Sequence, residues 1–411
     1  MSDRPACRLL DITRLVSRVG RGPMTGIDRV EAAYLDRLRH EDVPLFLLCR
    51  TAYGFLLLRG SEAEYVFAAL GAPETLPSPG LIDRLRGRTG PRLRLEAGLR
   101  TRALARVPGG GLVWMLARRL PRPISYINVG QSSLKQKNLQ RLRRVPGLRI
   151  TVMLHDTIPL DLPDYAGIGE PERFRAAFDA VLRNADLILC NSAATMADIG
   201  RHAGAQHPPC LVAHLGVDLP RPDAHAIPPD LDLMPDYFVT LGTIEPRKNH
   251  ALLLDAWEEI IARMGPEAAP RLLIIGHRGW KNEAVFHRLD SAPYMGKVVH
   301  ELSDLSDAAV SALLAGAHAL LMPSFAEGFG LPPLEAMALG TRVIAAPLPV
   351  YGEFLGNSVI YADPTDSYDW VNKILELTGG GRGQERAETS DKDHPALPSW
   401  EAHFNLVLSA V

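Results

Sequence analysis

From residue 124 onward, short apolar runs alternate with stretches of helical period, and this alternation limits the chain to few architectures. Strand and helix in regular succession place helices on both faces of a mostly parallel sheet. All-β sandwiches and helical bundles are thereby excluded. Strands are expected at Arg8–Ile12, Leu45–Cys49, Ile124–Val129, Ile150–Leu154, Leu187–Cys190 and Cys210–Leu215, with helices around Asp28–Arg39, Glu172–Arg183 and Ala193–Arg201.

The series then breaks. Residues 218–235 carry five prolines and no periodicity, which marks a linker. A second series follows: strands at Tyr237–Leu241, Arg271–Ile275, Val298–Glu301, Ala319–Met322 and Arg342–Ala345, and helices at Ala251–Arg263, Asp307–Ala315 and Leu334–Leu339. A length of 411 residues suits two full cores. The expected organisation is one domain over 1–216, a linker over 217–235, a second domain over 236–395, and a terminal helix over 396–411 that packs back on the first domain.

Net charge is −2, yet residues 1–150 hold 27 Lys and Arg against 12 acids, or +15, and the remainder holds 18 against 35, or −17. Residues 84–150 contain 17 basic side chains and a single acid, Glu96. Such a lobe attracts anionic partners. Within an Arg-rich insertion, 84–122, Leu95, Leu99, Ala103 and Val107 fall at helical spacing among arginines, and Trp114 precedes Arg118 and Arg119. Two readings stand open here: an interfacial amphipathic helix on an anionic membrane, or an ordinary basic surface helix. Only Trp114 and Tyr126 are aromatic across 84–150, too few to stack bases, which argues against nucleic acid.

Cys7, Cys49, Cys190 and Cys210 lack metal-ligand spacing and read as small core residues in a reducing compartment. The N-terminus lacks a basic-then-apolar leader, and no apolar run approaches the ~20 residues of a membrane span. A cytoplasmic location is expected, with peripheral contact at the inner face of the cell membrane.

In open α/β sheets, ligands bind beyond the carboxyl ends of the strands. Gly242-Thr243-Ile244-Glu245-Pro246-Arg247-Lys248-Asn249 follows one such end and precedes a helix. Glycine admits close backbone approach, Arg247 can grip phosphate oxygens in bidentate fashion, Lys248 adds a point charge, and the helix start offers N–H donors. An Arg-Lys pair by itself is more often a solvated face. Residues 323–335, PSFAEGFGLPPLE, are more specific: Glu327 and Glu335 are separated by seven residues, among them Gly328, Gly330, Pro332 and Pro333. A thin loop with free N–H groups leads into a helix start there, so one carboxylate can meet a sugar hydroxyl while the other reaches a ribose.

The Glu-x7-Glu spacing together with GTIEPRKN resembles the retaining glycosyltransferases of family 4. The likeness is strongest over about 150–375 and includes HLGVD at 214–218. It implies an α/β GT-B fold, two Rossmann-like domains whose parallel sheets face each other across a cleft, with 1–216 on the acceptor side and 236–395 binding the nucleotide sugar. It also implies that Arg247 and Lys248 hold the donor diphosphate, Glu335 binds the nucleotide ribose and Glu327 contacts the transferred sugar. Gly242, Phe329, Gly330 and Leu331 would lie at sugar and phosphate, and Gly276 beside the base with His277 and Arg278 nearby. His155, after the strand Ile150–Leu154, would face the donor sugar. Gly26, with Thr25, would close the early glycine loop Arg18–Gly26, which departs from the family's Gly-Gly form. Asn191-Ser192 matches a further family position, with a helix cap as the alternative. No divalent metal or cofactor is expected, since the cations would neutralise the leaving diphosphate.

The function so implied is retaining transfer of a hexose from a nucleotide-diphosphate sugar to a saccharide or polyprenyl-diphosphate-linked saccharide, in exopolysaccharide, capsule or O-antigen synthesis. HDTIPL and the preceding Asn128–Gln131 loop are similar to bacterial mannosyl- and rhamnosyltransferases, which favours GDP-mannose. A GT-B-like nucleotide-sugar epimerase or a phosphorylase is the alternative, followed by a nucleic-acid binder. Neither carboxylate is marked as a nucleophile, and no general base is identified.

Overall fold

The computed structural model describes residues 4–76, 89–204, 206–231, 233, 236–379 and 397–411. Its strands form two separate sheets. The first holds β1 (Cys7–Asp11), β2 (Leu45–Thr51), β3 (Gly54–Arg59), β4 (Ala105–Val107), β5 (Ile124–Asn128), β6 (Leu148–Leu154), β7 (Leu187–Cys190) and β8 (Cys210–Val212), in the order β4-β3-β2-β1-β5-β6-β7-β8. The second holds β9 (Tyr237–Leu241), β10 (Arg271–Ile275), β11 (Val299–Leu302), β12 (Ala319–Met322), β13 (Arg342–Ala345) and β14 (Ile360–Tyr361), in the order β11-β10-β9-β12-β13-β14.

The second sheet is parallel throughout. Its central strands are fully buried, as continuous apolar runs require when helices cover both faces. In the first sheet the expected all-parallel arrangement fails at one edge, where β3 pairs antiparallel with both β2 and β4. The turn between β2 and β3 has only Ala52 and Tyr53, and Gly54 at φ 124° lets the β4 backbone come close. A Cβ on Gly54 would stand 2.1 Å from the Val107 carbonyl oxygen.

This edge also redefines the Arg-rich segment, of which 84–88 lie outside the described residues. A helix spans Pro91–Arg102 and turns Leu95 and Leu99 into the core, while Ala103 ends it and Val107 belongs to β4. The expected helical stripe therefore ends at Leu99 and is consumed by packing. Arg100 and Arg102 lie over the rings of Tyr53 and Tyr65. The following helix, Leu112–Arg119, buries Leu112, Met115 and Leu116 and leaves Trp114 57% exposed beneath the Arg118 guanidinium.

The expected strand Cys210–Leu215 stops at Val212, after which the chain runs without regular structure to a short turn at Ala224–Ala226. Two helices follow β1, α1 (Thr13–Arg18) and α2 (Gly26–Arg39), and the helix Trp400–Ala410 packs on α2, with Phe404 buried against Tyr34 and the Tyr34 hydroxyl 2.8 Å from His403 Nε2. Cys7, Cys49 and Cys190 are buried and Cys210 half-buried, all as free thiols. Most of the polar stretch 379–398 lies outside the described residues.

Candidate functional site

The strand order of the second sheet reverses between β9 and β12, and the loops leaving those two strands meet there. After β9, Gly242 takes φ 141°, residues Pro246–Lys248 make one tight turn, and Asn249 at φ 57° starts the helix His250–Met264. After β12, the loop from Pro323 runs to Gly330 at φ 91°, where the helix Leu331–Ala338 begins with prolines in its first turn. Phe325 donates its amide to the Arg247 carbonyl, 2.9 Å, tying the loops together.

Glu327 is the hub of this junction. Its Oε1 accepts from Lys248 Nζ at 2.6 Å and Ser324 Oγ at 2.7 Å, and its Oε2 accepts from Arg247 Nη1 at 2.9 Å. Arg247 Nη1 also reaches the Ala326 carbonyl at 2.7 Å, while Nη2 meets Glu245 Oε1 at 2.5 Å. Burial alone would raise the Glu327 carboxyl, but Lys248 and Arg247 outweigh it and hold it at about 2. For Lys248 burial prevails over the attraction of Glu327 and lowers its pKa. Two cations and an ionised carboxylate are thus fixed before any ligand arrives, which is the preorganisation that an anionic leaving group requires.

Glu335 lies one helical turn into Leu331–Ala338 and is buried. Its Oε1 accepts from Arg29 Nη1 of α2 at 2.5 Å, and Arg29 Nη2 donates to the Asp218 carbonyl at 3.0 Å. Gly26, the first residue of α2, faces Leu331: a Cβ there would be 3.6 Å from Leu331 Cδ1. The start of α2 is organised by Asp28, whose Oδ2 accepts from Thr25 N and Oγ1 and whose carboxylate pairs with Arg14 and Arg18. Gly26 and Leu331 therefore meet across the cleft, as do Arg29 and Glu335, and Arg29 also holds the linker.

His155 and Asp156 leave β6 on the facing side of the cleft. His155 Nε2 is 2.6 Å from the Val129 carbonyl, and burial lowers its pKa to about 4 against the raising effect of that bond. The ring is neutral near pH 7, and its donation to Val129 leaves Nδ1 as an acceptor. Burial raises Asp156 to about 6, although Arg247 pulls it down. Gly328 packs on this pair so closely that a Cβ would lie 2.7 Å from the His155 carbonyl oxygen and 3.1 Å from Asp156 Oδ2. Asn191 Nδ2 holds the same His155 carbonyl at 2.8 Å, and Ser192 caps the helix Ala193–Ala203. The helix-cap alternative for Asn191-Ser192 thus holds at Ser192, while Asn191 tethers the His155 carbonyl.

Other expected positions divide. Phe329 is buried on Phe354 and His214, so only its backbone is free to face a ligand, and Gly330 is pressed on the Tyr351 ring. Leu331 borders the cleft beside Gly26. Gly276 ends β10 at φ 157° with the Gly242 carbonyl 2.0 Å from where a Cβ would stand, so Gly242 and Gly276 allow adjacent strand ends to close up. Arg278 is already engaged, bound by Glu301 and Asp290 and covering Phe286. His277 is 3.5 Å from Asp304.

Arg29, Asp28, Ser324 and Glu353 were not among the sequence candidates. Thr25-x-x-Asp28 is a capping-box pattern and was legible. Glu353 was not, since its partners are distant in sequence: it accepts from the amides of Ala193 and Ala194 at 2.8 and 2.7 Å and from His214 Nε2 at 3.1 Å. A further bridge joins Trp280 Nε1 to the Tyr165 carbonyl at 2.9 Å.

Residues 225–392 match the model of the family described as glycosyl transferases group 1. The serotype-specific mannosyltransferase WbdA of Escherichia coli is 32% identical over 253 residues, 57% of this chain and 31% of WbdA. The O-antigen chain mannosyltransferase B of the same organism is 31% identical over 165 residues, 40% of this chain and 42% of the relative. The chain thus spans less than half the length of these relatives. Among solved structures, HepE of Anabaena in complex with UDP-glucose aligns over 90% of this chain and 89% of its own at 16% identity and a TM-score of 0.60. Sucrose-phosphate synthase of Thermosynechococcus elongatus aligns over 75% and 82% at 18% identity and a TM-score of 0.53. At such identity the likeness speaks for the fold alone, and the fold is GT-B, as expected.

Proposed function

With residues 225–392 belonging to the glycosyl transferases group 1 family, we propose that the chain transfers a hexose, mannose in the favoured case, from a nucleotide diphosphate to a saccharide. The arrangement of Arg247 and Lys248 around Glu327, with Glu335 eight residues on at a helix start, carries this reading. In it the donor diphosphate lies on the two cations and the N–H groups of the glycine loop, and Glu335 accepts from ribose hydroxyls. The neutral His155 takes a donor-sugar hydroxyl at Nδ1.

Charge that develops on the leaving diphosphate meets cations already in place, so this chemistry needs no metal for that step. Retention follows if the acceptor hydroxyl enters on the face that the diphosphate leaves and passes its proton to a phosphate oxygen. Positioning by the two lobes then supplies much of the rate. GDP-mannose as donor and a glycan of O-antigen type as acceptor are supported by the names of the partial relatives and by HDTIPL.

The reading extends to a peripheral position at an anionic membrane, which suits a lipid-linked acceptor. Support comes from exposed Trp114 beside Arg118, and from a groove of about 620 Å³ whose lining includes Arg39, Arg59, Arg118 and Arg119 against a single acid, Glu41. Each basic residue near such a surface adds ~1 kcal/mol. Among the described residues no helix is long and apolar enough to cross a membrane. Co-sedimentation with phosphatidylglycerol vesicles should fall when Arg118 and Arg119 are replaced by Glu, and unchanged sedimentation would remove the membrane reading.

A thermal-shift screen of nucleotide sugars tests the donor assignment, because a ligand bound only by the folded state raises the melting temperature with saturation. GDP-mannose should give the largest shift. A larger shift with a UDP-sugar would reassign the donor, and no shift with any nucleotide would remove the reading.

A further inference from the structure

Two of the free thiols meet at one edge of the first sheet. That edge is β8, three residues long and paired only with β7, with Ile188 opposite Cys210 and Cys190 opposite Val212. Alternate residues of a strand share a face, so Cys190 and Cys210 lie on the same face of neighbouring strands. Their sulfurs are in hydrogen-bonding contact, Cys190 donating and Cys210 accepting.

The contact makes the two thiols unequal. Cys210 Sγ lies 3.6 Å from His207 Nδ1, and the same nitrogen is 2.8 Å from the Pro208 carbonyl, so Nδ1 carries a proton that carbonyl and sulfur share. The Cys190 hydrogen bond, aided by His207, outweighs burial and lowers Cys210 to about 7, where much of a thiol is thiolate at neutral pH. Cys190 moves the other way, raised by the same bond and then by burial. Cys210 is half-buried, and His207 with Asp179, Leu182, Arg183 and Gln206 lines a groove of about 490 Å³. Space for a small oxidant therefore borders the His207–Cys210 pair. Cys7 and Cys49 contrast with it: burial pushes Cys7 up to about 11 and Cys49 well above the ordinary thiol range, which leaves them protonated and inert.

The thiol pair also reaches the cleft from behind. Cys190 ends β7, and the next residue, Asn191, holds the His155 carbonyl at 2.8 Å, which Thr195 Oγ1 meets at 3.3 Å. A disulfide of about 2 Å brings sulfurs closer than any thiol hydrogen bond, so a bridge here draws β8 against β7 at the residue before that tether.

We propose that Cys210 and Cys190 are a peroxide-sensitive dithiol whose oxidation bridges β7 to β8 and loosens the Asn191 hold on His155. The Cys210 thiolate attacks one oxygen of hydrogen peroxide; the O–O bond breaks, hydroxide leaves and takes up a proton as water, and the sulfur becomes a sulfenic acid. The Cys190 thiol then displaces the sulfenic hydroxyl as a second water and forms the S–S bond. The two thiols give up two electrons and two protons, and one peroxide becomes two waters. A thiol reductant reverses the bridge, as suits a sensing rather than a structural disulfide.

Peptide mass spectrometry of the full native chain after graded exposure to hydrogen peroxide, with the remaining thiols alkylated, tests this. Peptides linked through Cys190 and Cys210 should form at least about tenfold faster than Cys7 or Cys49 is oxidised, and dithiothreitol should release them. Cys190→Ala should hold Cys210 as a dimedone-reactive sulfenic acid, and Cys210→Ala should leave Cys190 reduced. Amide hydrogen exchange over 155–160 should rise about tenfold in the bridged chain. Oxidation of Cys210 no faster than of Cys7 and Cys49, or its passage to sulfinic acid in the parent without a link to Cys190, would overturn the proposal. Equal exchange over 155–160 in bridged and reduced chains would overturn the connection to His155. Neither readout involves a nucleotide, so a failed donor assignment leaves both intact.

Discussion

Arg29 and Glu335 form an ion pair across the cleft at 2.5 Å although 306 residues separate them in sequence. The same guanidinium holds the Asp218 carbonyl, so one side chain joins the first lobe, the second lobe and the connection between them. The Glu335 carboxylate is left with one oxygen for a ligand and is oriented before the ligand arrives.

Removing the guanidinium should therefore loosen both the closure and the ribose contact. Arg29→Ala leaves a carboxylate buried and unpaired, though the arginine itself is one-third exposed, which reduces the loss to about 1–2 kcal/mol. The expected outcome is a lower denaturant midpoint together with nucleotide affinity down about tenfold, and Arg29→Lys should recover part of both. Tighter nucleotide binding in Arg29→Ala would show instead that Arg29 competes with the ribose.

Lys248 offers a separate test of the phosphate cradle. Lys248→Ala removes one of two cations on Glu327 but leaves Arg247 and Ser324 in place, so the fold should hold to within about 2 kcal/mol. Turnover should fall by about 10²–10³, the usual loss when one preorganised donor is removed from a developing charge. Single-turnover transfer measured beside chemical denaturation separates the two. A variant with near-full turnover would contradict the assignment.

Asp156 carries a pH signature. Burial moves it from 3.8 to about 6, so between those values the folded chain holds a proton that the unfolded chain has released. Its contribution is intact below pH 3.8 and is lost as pH rises through 6, leaving a net cost above. Asp156→Asn keeps the oxygen that accepts from Ile158 N and removes the charge. The variant should be more stable than the parent by about 1–3 kcal/mol at pH 7.5, with the difference vanishing near pH 4. A less stable variant at pH 7.5 would show that the carboxylate is stabilised by Arg247 beyond its burial. His155 acts oppositely: lowered from 6.5 to about 4, it contributes stability above pH 6.5 that is lost as pH falls toward 4, so the Asp156→Asn profile should be the steeper on the acid side.

Local pattern made much of this molecule legible. Fully buried strands such as Arg271–Ile275 and Ala319–Met322 declare themselves as apolar runs, and Glu327 with Glu335 stands out because glycine and proline fix the spacing between them. What depends on distant partners did not show. The antiparallel edge was missed because β4 is three residues long and takes its identity from Gly54 and Phe55 rather than from its own sequence. Arg278 looks like a free cation in GHRGW, yet the fold delivers Glu301 and Asp290 to it. Leu95 and Leu99 form a stripe that serves equally for membrane or core, and only packing decided for core. Glu353 caps a helix of the other lobe, which no local rule could supply.

The central claim is that the second lobe's reversal point is a nucleotide-sugar site built on Glu335 and the Glu327 cradle. Calorimetric titration of GDP-mannose into the parent chain and into Glu335→Ala addresses it most directly. Saturable binding by the parent, weakened at least about tenfold in a folded Glu335→Ala, is the expected result, since a charged acceptor to paired hydroxyls is worth about 1.5–3 kcal/mol. Equal affinity in the two proteins, or a parent that binds neither GDP-mannose nor any other nucleotide sugar, would contradict it.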